Sequence, residues 1–172
     1  IIAGTGNKSG KTSMACRLIE QYADMGIVSV KITPHFHETT PGLVPVTEKE
    51  GFSVYRETNK ELSKDTSRML RAGAADVFFA KVTDYNLQAA FDEIMKHIKQ
   101  GIPVVCESPA LAHYVKPGLL IIMNSPDKYN QKDISNLLRL PHVEFNLGML
   151  SGGSTLPILF SDGIWMSRQN GE

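Results

Sequence analysis

At 172 residues and 42% hydrophobic, the chain suits one globular domain with a sizeable core, and a second full domain would be cramped. Eighteen Lys+Arg balance eighteen Asp+Glu, so no long-range field points to nucleic acid or an acidic membrane, and any anionic ligand must be held locally. The longest apolar run, Leu119 to Met123, is strand-sized rather than membrane-spanning, and Cys16 and Cys106 suit buried thiols of a reducing compartment better than a disulfide scaffold.

A cytoplasmic protein with no nucleic-acid or membrane partner is therefore expected. Ile1 to Ala3 is apolar, carries no initiator Met, and is expected to lie inside a first strand that begins earlier. It runs into GTGNKSGKT, Gly4 to Thr12. Ser13 to Met25 then carries Met14, Leu18, Ile19, Tyr22 and Met25 at helical spacing. Gly26 stops that helix, and Ile27 to Ile32 follows as the second strand of a βαβ unit.

From Thr33 to about Leu62 the pattern dissolves into Pro, Gly, Thr and Glu, which predicts a long functional or mobile loop over 33–62. Ser63-Lys64-Asp65 offers an N-cap for a helix through Leu70, closed by Ala72-Gly73. A strand over Asp76 to Val82, an amphipathic helix over Leu87 to Lys99 and a strand from Ile102 to Cys106, ending in Glu107, come next. Leu119 to Met123 predicts another strand, Gln131 to Leu138 a short helix, and Leu156 to Phe160 the last strand. Strands alternating with helices, and apolar on both faces, argue for an α/β fold: a doubly wound, mainly parallel sheet with helices on both faces, spanning residues 1–172 as a single nucleotide-binding domain.

A triphosphate needs inward backbone N–H groups, Gly where the chain passes close to oxygen, a helix N-terminus and a bridging Lys. Gly10-Lys11-Thr12 at a strand-to-helix junction supplies these. Lys11 would hold phosphate, Thr12 would ligate Mg²⁺, and Gly10 and Ser13 would donate N–H groups, with Gly4, Thr5, Gly6, Asn7, Lys8 and Ser9 completing the cradle. The competing reading is a Gly-rich turn with a capping Thr. Glu107, at a strand end, is the candidate acid for Mg²⁺ and catalysis, against a plain acid before Pro109. Asp65 is a second candidate acid and Lys64 a phosphate contact, against a simple N-cap cluster.

The loop has five residues between Gly4 and Gly10. In this it resembles dethiobiotin synthetase and so the branch of P-loop NTPases that also holds the ParA and nitrogenase-iron-protein ATPases. The second lysine of those ATPases would fall on Gly6, and Lys8 does not match it. Three features together are similar to the molybdopterin-guanine dinucleotide biosynthesis adaptor protein B family, the MobB-like proteins. They are the loop-and-helix start, Lys31-Ile32-Thr33-Pro34-His35-Phe36-His37, and Lys64-Asp65-Thr66-Ser67-Arg68 leading to Arg71-Ala72-Gly73-Ala74; Glu107 matches that family's strand-terminal acid. The resemblance implies GTP or ATP binding with Mg²⁺, slow hydrolysis, a homodimer, and a partner protein in molybdenum-cofactor guanylylation. The departures are the stretch from Gly42 to Leu62, Ser63 in place of Gly, and Ser108-Pro109-Ala110 in place of Gly-Phe-Lys. A dethiobiotin-synthetase-like ligase acting on a small acid is the second reading, although the glycines after Glu107 and the Lys-Pro after the second strand are lacking. A nucleotide-switched binding module is the third.

Asn124-Ser125-Pro126-Asp127 follows an apolar strand where GTPases keep Asn-Lys-x-Asp. Asn124 and Asp127 would then favour GTP, unless the segment is only a Ser-Pro-Asp turn. His35 and His37 lack a third metal ligand and suit loop or substrate contacts. Gly152-Gly153-Ser154 is a nest beside the base or a flexible connection.

Overall fold

The computed structural model describes residues 1–36, 38–127, 129, 131–152 and 155–168. β1 (Ile2–Gly4), α1 (Lys11–Gln21) and β2 (Val28–Thr33) form the expected first unit, α1 being followed by a tight turn at Ala23–Met25. Gly26 closes that turn at φ 68°, where the missing side chain makes the left-handed backbone inexpensive.

In β2 the alternation assigns the two faces. Val28, Val30 and Ile32 join one apolar cluster with Phe78, Ala80, Cys106, Ala90 and Ile94. The intervening Ser29 turns the other way, its hydroxyl 3.1 Å from Met69 Sδ, and Lys31 and Thr33 follow it with the period of two that a strand imposes. That second face is covered by Met14, Leu18, Ile19 and Met69, packed against Ile2, Val77, Val105 and Ile121.

Half of the segment expected as a long loop over 33–62 is a hairpin, β3 (Leu43–Lys49) and β4 (Phe52–Glu57), joined antiparallel to the sheet edge. Glu50 and Gly51 turn the chain, and Gly51 sits at φ 82° with no room for a Cβ, which would lie 2.1 Å from Asn86 Nδ2. Pro45 hid the strand from a sequence reading, but β3 is the edge strand and its register shifts between Pro45 and Thr47, the setting in which a sheet accepts proline.

α2 (Asp65–Arg71) and β5 (Asp76–Val82) lie where expected. α3 (Leu87–Met95) stops short of Lys99 because the N–H groups of Lys96, His97 and Ile98 bond three residues back, tightening the last turn. From α3, Glu93 accepts from Lys96 at 2.9 Å and from Lys49 of the hairpin at 3.0 Å, and these two lysines hold its carboxyl down to about 2.

β6 (Val104–Glu107) and β7 (Ile121–Asn124) are followed by α4 (Ser135–Leu138), shorter than expected, and by β8 (Val143–Asn146), which the sequence reading missed. α5 (Leu147–Leu150) is one turn, capped where Asn146 Oδ1 accepts from Met149 N. The eight-stranded sheet runs β3-β4-β5-β2-β6-β1-β7-β8, with every pair from β5 to β8 parallel. It is doubly wound: α1 and α2 cover one face, α3 and α4 the other.

The strand expected at Leu156 to Phe160 is β9 (Ile158–Ser161). It pairs with β10 (Ile164–Ser167) in a separate antiparallel ribbon, not in the main sheet. Asp162 (φ 53°) and Gly163 (φ 77°) make the two-residue turn that suits such a ribbon. The ribbon packs on the end of α1: Tyr22 Oη donates to Ile158 O at 2.7 Å, and the rings of Tyr22 and Trp165 meet edge-on at 5.2 Å.

Cys106 is buried, and burial pushes its thiol up to about 12. Cys16 is only half-buried, not fully buried as its segment suggested. No described helix is long and apolar enough to cross a membrane.

Candidate functional site

The carboxyl ends of β1, β2 and β6 converge because these strands are parallel neighbours, with Ile2 opposite Glu107 and Lys31 opposite Glu107 in register. This is the edge of a doubly wound sheet where ligands are held. The glycine-rich loop leaves β1 here. A Cβ on Gly4 would lie 2.2 Å from Ser9 Oγ, and Gly10 has φ 95° and would drive a Cβ to 2.6 Å from Leu147 Cδ2. At Gly10 the left-handed backbone itself disfavours a side chain, whereas at Gly4 the Ser9 hydroxyl would have to move aside. Lys8 also has positive φ, 55°, as the curled loop demands.

Thr5 fixes the loop to the neighbouring strand. Its N–H donates to Met123 O at 3.0 Å, and its hydroxyl accepts from Ser125 N at 2.8 Å. Met14 N–H is the donor that closes the first turn of α1, on Gly10 O at 2.9 Å, so the amides of Lys11, Thr12 and Ser13 have no acceptor within the helix. Lys11 Nζ folds over the loop, donating to Gly6 O at 3.2 Å and Ser9 Oγ at 3.3 Å. Partial burial lowers its pKa from the ordinary lysine value.

Four side chains from distant parts of the chain meet in front of this loop. Thr12 Oγ1 donates to Glu107 Oε2 at 2.8 Å, Lys31 Nζ donates to Glu107 Oε1 at 3.1 Å, and Lys31 also bonds Asp65. Burial works against the charge on Lys31, but Glu107 and Asp65 outweigh it and raise its pKa. Burial likewise works against ionised Asp65, but the hydrogen bond and charge of Lys31, the Thr12 hydroxyl and Arg68 hold its carboxyl below the usual range. Arg68 stands 3.6 Å from Asp65 and reaches Ser13 Oγ at 3.4 Å.

Together these groups line an open cavity of about 500 Å³, walled by Asn7 to Ser13, Lys31, Asp65, Arg68, Glu107, Lys132 and Leu147. Lys11, Arg68 and Lys132 give it a cationic wall, while Thr12 and Glu107 put a hydroxyl and a carboxylate side by side. Hard oxygen donors of this kind could hold a magnesium-type cation that keeps most of its waters, and the amides of the first turn of α1 could hold phosphate. Leu147 links this cavity to a second one of about 350 Å³, between the ends of β7 and β8, lined by Asn124, Ser125, Pro126, Asn146, Leu147 and Gly148.

Asn7 through Ser13, Glu107 and Asp65 line one cavity, while Gly4, Thr5 and Gly6 lead from β1 toward it without lining it. Asn124 lies beside the adjoining cavity, where its amide donates to Glu144 at 2.7 Å. Asp127 does not line that cavity; its Oδ1 accepts from Tyr129 N at 2.9 Å in a local turn. His35 is exposed, with its N–H on Thr33 Oγ1, whereas His37, Gly153 and Ser154 fall outside the described residues. Among the described residues no group of three His, Cys, Asp or Glu side chains is placed to hold a metal.

Sequence reasoning missed the bridging role of Lys31 and the places of Arg68, Lys132 and Leu147 in the wall. Lys31 carried a usable signal: the one charged residue of β2, on the face of Ser29 and Thr33. Lys132 carried none, because it is drawn in only when its N–H donates to Thr5 O at 2.7 Å. Compared with known proteins, the chain matches no family model, no curated protein and no solved structure.

Proposed function

We propose that the chain binds a purine nucleoside triphosphate with Mg²⁺ and hydrolyses it slowly, as a P-loop NTPase. The observation that carries this reading is the 2.8 Å contact between Thr12 Oγ1 and Glu107 Oε2, made across 95 residues of chain directly in front of Lys11. A helix-start hydroxyl and a strand-end carboxylate side by side are the hard-oxygen pair that a phosphate-bound Mg²⁺ needs.

In this reading the first-turn amides of α1 and Lys11 hold the β and γ phosphates. Thr12 and Glu107 take the cation, and Asp65 orders its waters or the attacking water. The base rests between Asn124 and Leu147, in the adjoining cavity. Mg²⁺ neutralises charge on the phosphate oxygens when bound, and the chain's contribution is to position the phosphates and to exclude bulk water with Leu147 and the loop. No group in the wall is a free strong base, and Asp65 and Glu107 are both engaged by Lys31, so turnover is slow until a partner completes the site.

The finer role, accessory GTP binding in molybdenum-cofactor guanylylation by a homodimer, rests on the MobB-like segments around Lys31, Lys64 and Ala72. The test is nucleotide binding to Glu107→Gln with and without Mg²⁺. The variant is expected to lose most of the Mg²⁺-dependent gain in affinity while retaining the Mg²⁺-independent part. A wild-type protein indifferent to Mg²⁺ would refute the metal role.

A further inference from the structure

Glu57, the last residue of β4, is only 2% exposed, and the nucleotide reading gives it no part. We infer that it is a positioning residue of the site: through the hydroxyls of Thr66 and Ser67 it sets the rotation of α2 and so keeps Asp65 against Lys31. What Asp65 does for a bound nucleotide rests on the reading above; the contacts of Glu57 do not.

Strand alternation brings the carboxylate to the right face. Tyr55 is the register partner of Phe79, and Phe79 of Lys31. Glu57 follows Tyr55 at the period of two, so it lies on the face of the sheet that carries Lys31 and that α2 covers. There Glu57 Oε2 accepts from Thr66 Oγ1 at 2.7 Å and from Ser67 Oγ at 3.2 Å, and Oε1 accepts from Asn59 N at 2.9 Å. The enclosure is close: a Cβ on Gly42 would lie 2.9 Å from Oε1. A carboxylate held this far from water is costly, so an apolar side chain would serve packing alone better.

Two adjacent hydroxyls on one oxygen do what a single contact does not. Successive helix residues point about 100° apart, so Thr66 and Ser67 reach Oε2 together over only a narrow range of rotation of α2 about its axis. The helix needs that constraint, because its seven residues are too few to hold a helix alone and Lys64 before it makes no side-chain capping bond. Asp65 is the residue next to Thr66, and at this rotation it bonds Lys31 and stands 3.6 Å from Arg68. A turn of α2 would carry Asp65 away from Lys31, whose other contact, with Glu107 at 3.1 Å, comes from β6 and does not depend on the helix.

The test compares Glu57→Met, which keeps length and packing but loses the acceptors, with Glu57→Gln, whose carbonyl can accept from Asn59 and whose amide can donate to the two hydroxyls. The direct readout is the ammonium resonance of Lys31 in low-temperature proton–nitrogen correlation spectra of the whole protein without nucleotide. Glu57→Met is expected to shift or broaden that resonance while far-UV circular dichroism stays native, and Glu57→Gln to leave it in place. Thr66→Val, which removes the shorter hydroxyl contact, should act in the same direction and replaces Glu57→Met if that variant does not fold. An unmoved Lys31 resonance in the folded variant, or equal disturbance in Glu57→Gln, would overturn the inference, since a purely structural Glu57 would lower the urea midpoint without touching Lys31. With Mg²⁺ and ATP or GTP, kcat should fall roughly ten- to hundredfold in Glu57→Met with KM little changed, the cost of misplacing a group that orders water. A moved Lys31 resonance with kcat unchanged would count against the nucleotide reading of Asp65 alone.

Discussion

Lys31 is the residue on which the charge balance of the site turns. Its raised pKa contributes stability that is fully present below 10.5, the unfolded value, and is lost as pH rises through the higher folded value. Asp65 has a depressed pKa, so its contribution is present above 3.8 and lost as pH falls through the lower folded value. Urea midpoints measured across pH should therefore show a plateau between these limits, and Lys31→Met should flatten the alkaline fall and reduce the acid one. An unchanged profile would show that the Lys31 contacts do not persist in solution. Gly10→Ala tests the loop at the same scale: left-handed backbone plus the contact with Leu147 should cost about 1–3 kcal/mol, partly recovered with Leu147→Ala in a double-mutant cycle read by denaturation. The local chemistry of Gly10-Lys11-Thr12 was legible because strand, loop and helix are contiguous there. Lys31 meeting Asp65 and Glu107 was not, since nothing local links three positions on β2, α2 and β6.

Among the elements, those with strong periodicity, β5 and the start of α3, were legible to within a residue. The hairpin and β8 were not, for different reasons. Pro45 and the exposed pattern of β3 resemble a loop until an edge position makes them acceptable, and β8 is a four-residue edge strand with one buried side chain, Phe145. The hairpin has a direct test in hydrogen exchange. Amides of β4, which is bonded on both sides, should exchange far more slowly than those of the edge strand β3, while a mobile loop over 33–62 would exchange fast throughout. Packing adds a second test: Phe78 is fully buried between β5 and α3, and Phe78→Ala should cost about 3–5 kcal/mol in urea denaturation. Two of its neighbours, His97 with ring centroids 5.9 Å apart and Arg56 at 5.5 Å from the ring, would lose contact at the same time.

At the scale of the whole molecule, a neutral chain gathers Lys11, Arg68 and Lys132 at one edge of the sheet, where they wall the larger cavity. That concentration is what a locally held anion requires, and it ties ligand to fold stability: a nucleotide at about a hundred times its dissociation constant should add about 2.7 kcal/mol. The most direct test of the account is equilibrium titration of wild type and Lys11→Ala with ATP and GTP, each with and without Mg²⁺. Mg²⁺-enhanced binding to wild type is expected, with a loss of roughly ten- to hundredfold in Lys11→Ala, the range of one or two charge-assisted contacts. Equal, weak binding to both proteins in all four conditions would contradict it.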